Sequence, residues 1–427
     1  PQPSGYSNRW YVSSLAGARL GDGSFPAGVN RGENPTNNPQ YFDQVQPYGI
    51  YVPVNYVADA SKPVLFTWLL HSLTQNHNQY SATVPNFLDA ACERLRQSIC
   101  ATTLGRGGAG SYRAGAEVDF WEVWRDIARY YSIDSERTFS TGYSMGAIGT
   151  INFMIKYPEV FAGGVVLAGD NGTLPLIENI RWNGYYHAHG TFDELVPFPE
   201  ARATVDAVRD NGYRYVFDHY FAEDHIIWTL KDVAYSAYEE AAKWMVQWLE
   251  ETGSRKQNPG NFVYRWNPDE IDPELGIGPA GAWWLDNIRA IDDVNDARIE
   301  LSSQGRPEAL YSVEQLPQAL ILPNQMTLSP AIREEQRWTF SGFETAGGLV
   351  SASLTNVAAL RLDLARAGIA NRDDKRIELS SSDPLSLTLI GLTDGTVARA
   401  GSASATVTNG QAVLELPAGD GQSIVFE

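Results

Sequence analysis

The chain has 427 residues, 43% of them apolar, and a formal net charge of −19 at pH 7. That length exceeds one ordinary core and points to two domains. The acidic balance excludes a nucleic-acid partner, whose phosphates would be repelled, and no apolar run approaches the roughly 20 residues of a membrane-spanning helix.

Residues 1–45 are rich in Gly, Pro, Asn and aromatics, which reads as an extended N-terminal arm lying over a domain. The chain starts at Pro1; a removed export signal and a trimmed chain both account for that start. The expectation taken is a secreted or periplasmic protein. Residues 48–52 have strand character. The continuous apolar run 63–70 is the signature of a strand buried on both faces, and it ends in His71-Ser72-Leu73-Thr74-Gln75-Asn76. A helix over 84–96 and a strand over 98–104 follow. Cys92 falls on the apolar face of that helix and Cys100 opens that strand, so a disulfide and a pair of buried thiols are both open readings. A helix over 117–131 carries Phe120, Val123, Trp124, Ile127 and Tyr131 at helical spacing.

Arg137-Thr138-Phe139-Ser140-Thr141 then leads through Gly142-Tyr143-Ser144-Met145-Gly146 into a helical run over 147–154. Strand, Gly-x-Ser-x-Gly, helix is the context of a nucleophile elbow. The turn is so sharp that its central residue is strained, and flanking glycines relieve the crowding. Strands are expected at 164–168, 184–189 and 213–220, and a long helix at 233–250. Alternation at this spacing means a mostly parallel sheet with helices on both faces, an α/β domain over 46–252. Residues 253–261 read as a polar linker. From 262 to 427 short β-like runs are separated by turn residues, which predicts an antiparallel β-sandwich domain. Arg-Ile-Glu-Leu-Ser-Ser occurs at both 298–303 and 376–381 and reads as two similar strands.

A serine hydroxyl needs a base to take its proton, and the base needs an orienting acid. On this kind of sheet the order is Ser, Asp or Glu, then His. Of the six histidines, His187, His189, His219 and His225 follow Ser144. The first three lie within expected strands, where His187 and His189 read as structural. His225 lies in a loop beyond the last strand and is the expected base. Asp193, after the preceding strand, is the expected acid, with Glu194 its nearest competitor and Asp170 a further substitute. The oxyanion needs two prepositioned donors. Met145, the residue after the nucleophile, supplies one N–H. The loop after residue 70 supplies the other, with Leu73 preferred over Ser72 and Thr74. Trp68 and Trp228 are expected to line the acyl pocket beside Ser72 and Thr74.

Leu70-His71-Ser72-Leu73-Thr74-Gln75, the Gly-Tyr-Ser-Met-Gly elbow, the run His189-Gly190…Asp193…Val196-Pro197 and His225 together resemble the α/β-hydrolase superfamily. Within it they are similar to secreted bacterial esterases of the polyhydroxyalkanoate-depolymerase and feruloyl-esterase kind, and to prolyl-oligopeptidase-family hydrolases. The family loop usually reads His-Gly where this chain has His71-Ser72, and His-x-Trp where it has His225-Ile226-Ile227-Trp228. The resemblance implies a serine ester hydrolase, free of metal and organic cofactor, acting on bulky, aromatic or polymeric esters. A serine peptidase uses the same triad and is the first rival; with about 45 residues ahead of the first strand, the propeller that gates prolyl oligopeptidases is not expected. A non-catalytic surface-binding protein is the second rival.

Gly105-Arg106-Gly107-Gly108-Ala109-Gly110 matches a dinucleotide-binding pattern literally, but its helix starts too late and no acid-tipped strand follows. This loop is expected to border the active-site cleft instead. The aspartates at 292, 293, 296, 373 and 374 lack the spacing of a calcium loop and read as solvated turns.

Overall fold

The computed structural model describes residues 4–15, 44–170, 172, 174–225, 237–321 and 330–427. The first eight strands are β1 (Gly5–Val12), β2 (Val45–Val52), β3 (Val64–Leu70), β4 (Ser98–Thr103), β5 (Ile133–Tyr143), β6 (Gly163–Leu167), β7 (Gly184–Gly190) and β8 (Tyr215–Tyr220). They lie side by side in the order β1-β2-β4-β3-β5-β6-β7-β8. From β4 to β8 every neighbour is parallel, while β1 and β2 run antiparallel. The described part of the arm is thus a paired edge strand. β3, β4, β6 and β7 are buried along most or all of their length, as helices on both faces require.

The helices are α1 (Gln79–Thr83), α2 (Pro85–Leu88), α3 (Gly115–Tyr130), α4 (Met145–Lys156), α5 (Phe198–Asp210) and α6 (Ala237–Thr252). The single helix expected over 84–96 is α2 followed by a wide π-helical turn, Asp89–Arg94. That turn carries Cys92, which is disulfide-bonded to Cys100 within β4, with the two Cα atoms 5.8 Å apart. α5 was not anticipated; its buried face is Ala201, Thr204, Val205 and Val208, at helical spacing.

The second half departs from the expected division. Its strands are β9 (Asn261–Trp266), β10 (Gly281–Ala282), β11 (Leu285–Ala290), β12 (Ala297–Ser303), β13 (Ala309–Gln315), β14 (Ala319–Ile321), β15 (Ala331–Phe343), β16 (Leu349–Thr355), β17 (Val357–Asp363), β18 (Arg376–Ser381), β19 (Leu385–Ile390), β20 (Val397–Ala400), β21 (Ala403–Thr406), β22 (Gln411–Leu416) and β23 (Gly419–Phe426). β13, β14 and β15 belong to the first sheet: β15 pairs antiparallel with β8 from Ala331↔Tyr220 to Gln336↔Tyr215, and β13 and β14 pair with β15. Residues 262–427 therefore do not form one self-contained sandwich.

The remaining strands form two facing sheets, β10-β11-β17-β19-β22 and β21-β20-β23-β18-β16-β12-β9. Leu360, Leu362, Leu387 and Leu389 from the first meet Ile299, Val350, Ile377 and Ile424 from the second in one core. The sandwich is not purely antiparallel, because β16/β18 and β17/β19 are parallel pairs. The two copies of Arg-Ile-Glu-Leu-Ser-Ser are β12 and β18, which flank β16 on either side. Asp292 accepts from the backbone N–H groups of Val294 and Asn295, and Asp374 from that of Gly348, so both serve turns.

The sandwich packs on the first half through Trp182, which joins its apolar core, and through polar contacts. Glu178 pairs with Arg265 of β9 and Arg298 of β12, and the Tyr264 hydroxyl donates to Lys156 O at 3.0 Å.

Candidate active site

Ser144 stands between β5 and α4 with φ 56° and ψ −119°, a conformation that strains any residue with a side chain. The surroundings over-determine it. A Cβ on Gly142 would lie 2.2 Å from the carbonyl of Gly146, and one on Gly146 would lie 2.0 Å from Leu70 O. Both positions need glycine because backbone already fills the space. Gly146→Ala is expected to lower stability by roughly 1–3 kcal/mol and to displace the loop after β3. Its melting temperature and kcat should both fall; an unchanged kcat would show that this loop is not part of the site.

The three residues expected to form the triad come together. Ser144 Oγ is 2.9 Å from His225 Nε2, and His225 Nδ1 is 2.7 Å from Asp193 Oδ2 and 2.9 Å from Asp193 Oδ1. His225 follows β8 and Asp193 follows β7, so all three sit at the carboxyl edge of the parallel strands, where such sheets place their ligands. Glu194 accepts from the backbone N–H of His225 at 3.2 Å and therefore holds the chain, not the ring. Asp170 is bonded to the Thr204 hydroxyl and the Gly172 N–H. Burial opposes ionisation of Asp193, but hydrogen bonds from His189 and His225 and from the Val196 N–H hold its carboxyl well below the usual range. The carboxylate is thus ionised at neutral pH. Its contribution to stability is present above the ordinary aspartate range and is lost as pH falls through the depressed value.

Two backbone donors are open beside Ser144. In the loop after β3 the Ser72 N–H donates to Gln79 Oε1 at 2.7 Å and the Thr74 N–H to Gly108 O at 2.7 Å. Leu73 N–H, between them, has no acceptor among the described residues, and the same holds for Met145 N–H at the first position of α4. The loop over 105–110 braces this segment through Gly108, and Arg106 within it is buried and paired with Asp119 of α3. His71 is buried, with its ring nitrogens 2.9 Å from Ser72 O and from Leu104 O, tying the end of β3 to the end of β4.

A cleft of about 390 Å³ opens beside Ser144 and His225; Ser72, Leu73, Thr74, Tyr143, Leu195 and Tyr238 are among its walls. Trp68 is not. It is fully buried on the face of β3 that meets α3, its ring centroid 4.1 Å from that of Phe120. Strand alternation fixes which face a residue takes, but not which face meets the cleft. Trp228 lies outside the described residues. The cleft aromatics that sequence reasoning missed are Tyr143 and Tyr238. Tyr143 lies within the elbow itself, and its hydroxyl donates to His225 O. No local signal marks Tyr238 or Gln79, which reach the cleft from α6 and α1.

No protein-family model matches the chain. Acetylxylan esterase A of Aspergillus oryzae is 29% identical over 160 residues, 34% of this chain and 47% of that protein. The probable acetylxylan esterase A of Aspergillus clavatus is 28% identical over 207 residues, 45% of this chain and 60% of that protein. The chain thus spans about half the length of the curated relatives it matches. Among solved structures, a ferulic acid esterase from Anaeromyces mucronatus is 14% identical with a TM-score of 0.40, covering 56% of this chain and 89% of that one. An S-formylglutathione hydrolase from Agrobacterium tumefaciens is 14% identical with a TM-score of 0.41, covering 58% and 98%. With the strand order β1-β2-β4-β3-β5-β6-β7-β8 and the serine elbow after β5, the first half of this chain has the α/β-hydrolase fold.

Proposed function

We infer that the protein is a serine carboxylic-ester hydrolase working through an acyl-enzyme. Ser144 Oγ attacks the ester carbonyl as its proton passes to His225 Nε2. The Leu73 and Met145 N–H groups donate to the carbonyl oxygen as negative charge develops on it. His225 then gives the proton to the departing alcohol, and Asp193 holds the imidazole with Nδ1–H facing the carboxylate. Water, deprotonated by His225, releases the acyl group. The observation that carries this reading is the hydrogen-bonded line Ser144–His225–Asp193 mounted on a strained elbow.

Asp193→Asn should cut kcat by roughly 10⁴, because the amide donates and turns His225 to the wrong tautomer. Steady-state kinetics on a soluble aryl ester checks this. Near-normal activity in Asp193→Asn, with loss in Glu194→Gln or Asp170→Asn, would move the acid elsewhere. Asp193 remains ionised through the mildly acidic range, so any rise of activity with pH there does not come from this carboxylate.

The substrate class follows from the walls. The cleft is mainly apolar, and at its mouth Leu73 and Leu195 are 52% and 63% exposed, with Phe192 70% exposed in the same loop as Leu195. Such a rim suits bulky, aromatic or polymeric esters. The relatives' names, which specify an acetyl ester of xylan, also favour a polymer-borne ester. The Cys92–Cys100 disulfide supports a secreted or periplasmic setting. A matched ester and peptide-amide pair with one acyl group should differ by orders of magnitude in kcat/KM in favour of the ester; preference for the amide would support a peptidase instead.

A further inference from the structure

Asp193 is reached from a second side by side chains of β7. Tyr185, His187 and His189 alternate along that strand, so all three point to one face, and all three are wholly buried. The Tyr185 hydroxyl is 3.0 Å from His187 Nδ1, and His187 Nε2 is 3.3 Å from His189 Nδ1. His189 Nε2 is 2.8 Å from Val196 O and 3.2 Å from Asp193 Oδ2. Val196 O can only accept, so Nε2 of His189 carries its proton, with Asp193 Oδ2 within reach at 3.2 Å. A neutral His187 that accepts from the Tyr185 hydroxyl at Nδ1 carries its proton on Nε2 and donates it to His189 Nδ1. Burial favours the neutral form of His187, with the nearby His189 and Arg202 acting in the same direction. The result is a chain in which every donor faces the carboxylate.

We propose that His189, oriented by His187 and Tyr185, is a positioning residue that fixes the Asp193 carboxylate toward His225. This rests on the reading of Ser144, His225 and Asp193 as the reacting triad. Asp193 Oδ1 already accepts from the Leu195 and Val196 N–H groups, at 3.0 and 2.8 Å. Those two bonds and the one to His225 leave one edge of Oδ2 open, and His189 closes it. Without that donor Asp193 Oδ2 is held by His225 alone, and more of its charge faces the His225 ring. The first effect slows the reaction. The second stabilises the protonated ring, so activity is lost at higher pH on the acid side. Of the charged groups nearby, Asp170 is bonded to the Thr204 hydroxyl and the Gly172 N–H, Glu194 to the His225 N–H, and Arg202 to Asp206 and Glu334.

The experiment compares His189→Leu, His189→Gln and Tyr185→Phe with the wild type on a soluble aryl ester. Rates are expressed per active site titrated with a fluorophosphonate, so unfolded protein does not count. His189→Leu should lower kcat about tenfold with KM within about twofold, and the acid limb of kcat/KM should move up by about half a pH unit. His189→Gln, whose amide reaches the Nε2 position, should recover most of both, and Tyr185→Phe should show the smallest change. An unchanged per-site kcat and acid limb in His189→Leu, with only melting temperature or active fraction reduced, would overturn the proposal and leave His189 structural. Failure of the triad reading would look different: Ser144→Ala or Asp193→Asn would then retain activity.

Discussion

Ser144→Ala should lose roughly 10⁵- to 10⁶-fold in kcat on soluble esters while melting within a few degrees of the wild type. The hydroxyl makes one hydrogen bond, to His225 Nε2, and losing a single such bond costs about 1 kcal/mol of stability. Alanine carries the same Cβ as serine, so the strain of φ 56° is unchanged. No hydroxyl then remains 2.9 Å from the base, and hydrolysis can proceed only by direct attack of water on an ester held at Leu73 and Met145. Parallel kinetics and thermal melting check this. Loss of structure along with activity would mean that the serine packs the elbow rather than reacts; retention of activity would remove it from the chemistry.

Truncation after Gly253 should abolish both folding and activity. The division into domains at 253–261 would leave Ser144, Asp193 and His225 in the retained piece, yet β15 covers the edge of β8 along its whole length. Removing β15 uncovers that edge next to the loop that carries His225, where Phe221 N–H donates to Pro330 O. It also takes away Arg333, whose guanidinium binds the fully buried Asp218 carboxylate at 2.6 and 2.7 Å. Stripping the partner from a buried charge costs about 3–5 kcal/mol, a large part of a typical total of roughly 5–15 kcal/mol. The bonds from Gln336 to Tyr213 O and from Trp338 to Gly212 O go as well. Circular dichroism and ester hydrolysis of a 1–253 fragment test this; a folded fragment with wild-type kcat would contradict it. Arg333→Ala in the full chain isolates the charge and should lower the melting temperature without altering the triad.

The elbow was legible in the sequence because its chemistry is local: two glycines flank a serine where a strand turns into a helix, and each glycine meets backbone. Ser144, Asp193 and His225 could be picked out because each lies just beyond the carboxyl end of a strand, β5, β7 and β8. The β13–β15 ribbon was not. Leu310, Tyr311, Val313 and Phe340 are exposed, so no buried face marks the sheet they join, and nothing local records that β15 pairs with a strand more than a hundred residues earlier. Trp68 failed on a related point: periodicity says that a side chain is buried, but not against which helix. The cysteine spacing admitted two thiols as readily as a disulfide, and the approach of the π-helical turn to β4 decided between them. His187 and His189 were read as structural from their place within a strand, and only the three-dimensional geometry brings His189 to Asp193.

The most direct test of the central claim is to treat the native protein with a fluorophosphonate and map the modified peptide by mass spectrometry. Attack by an activated serine forms an O–P bond and expels fluoride. The account predicts one adduct per chain, on Ser144, with labelling slowed by orders of magnitude in His225→Ala. An adduct on any other residue, or equally fast labelling without His225, would contradict it.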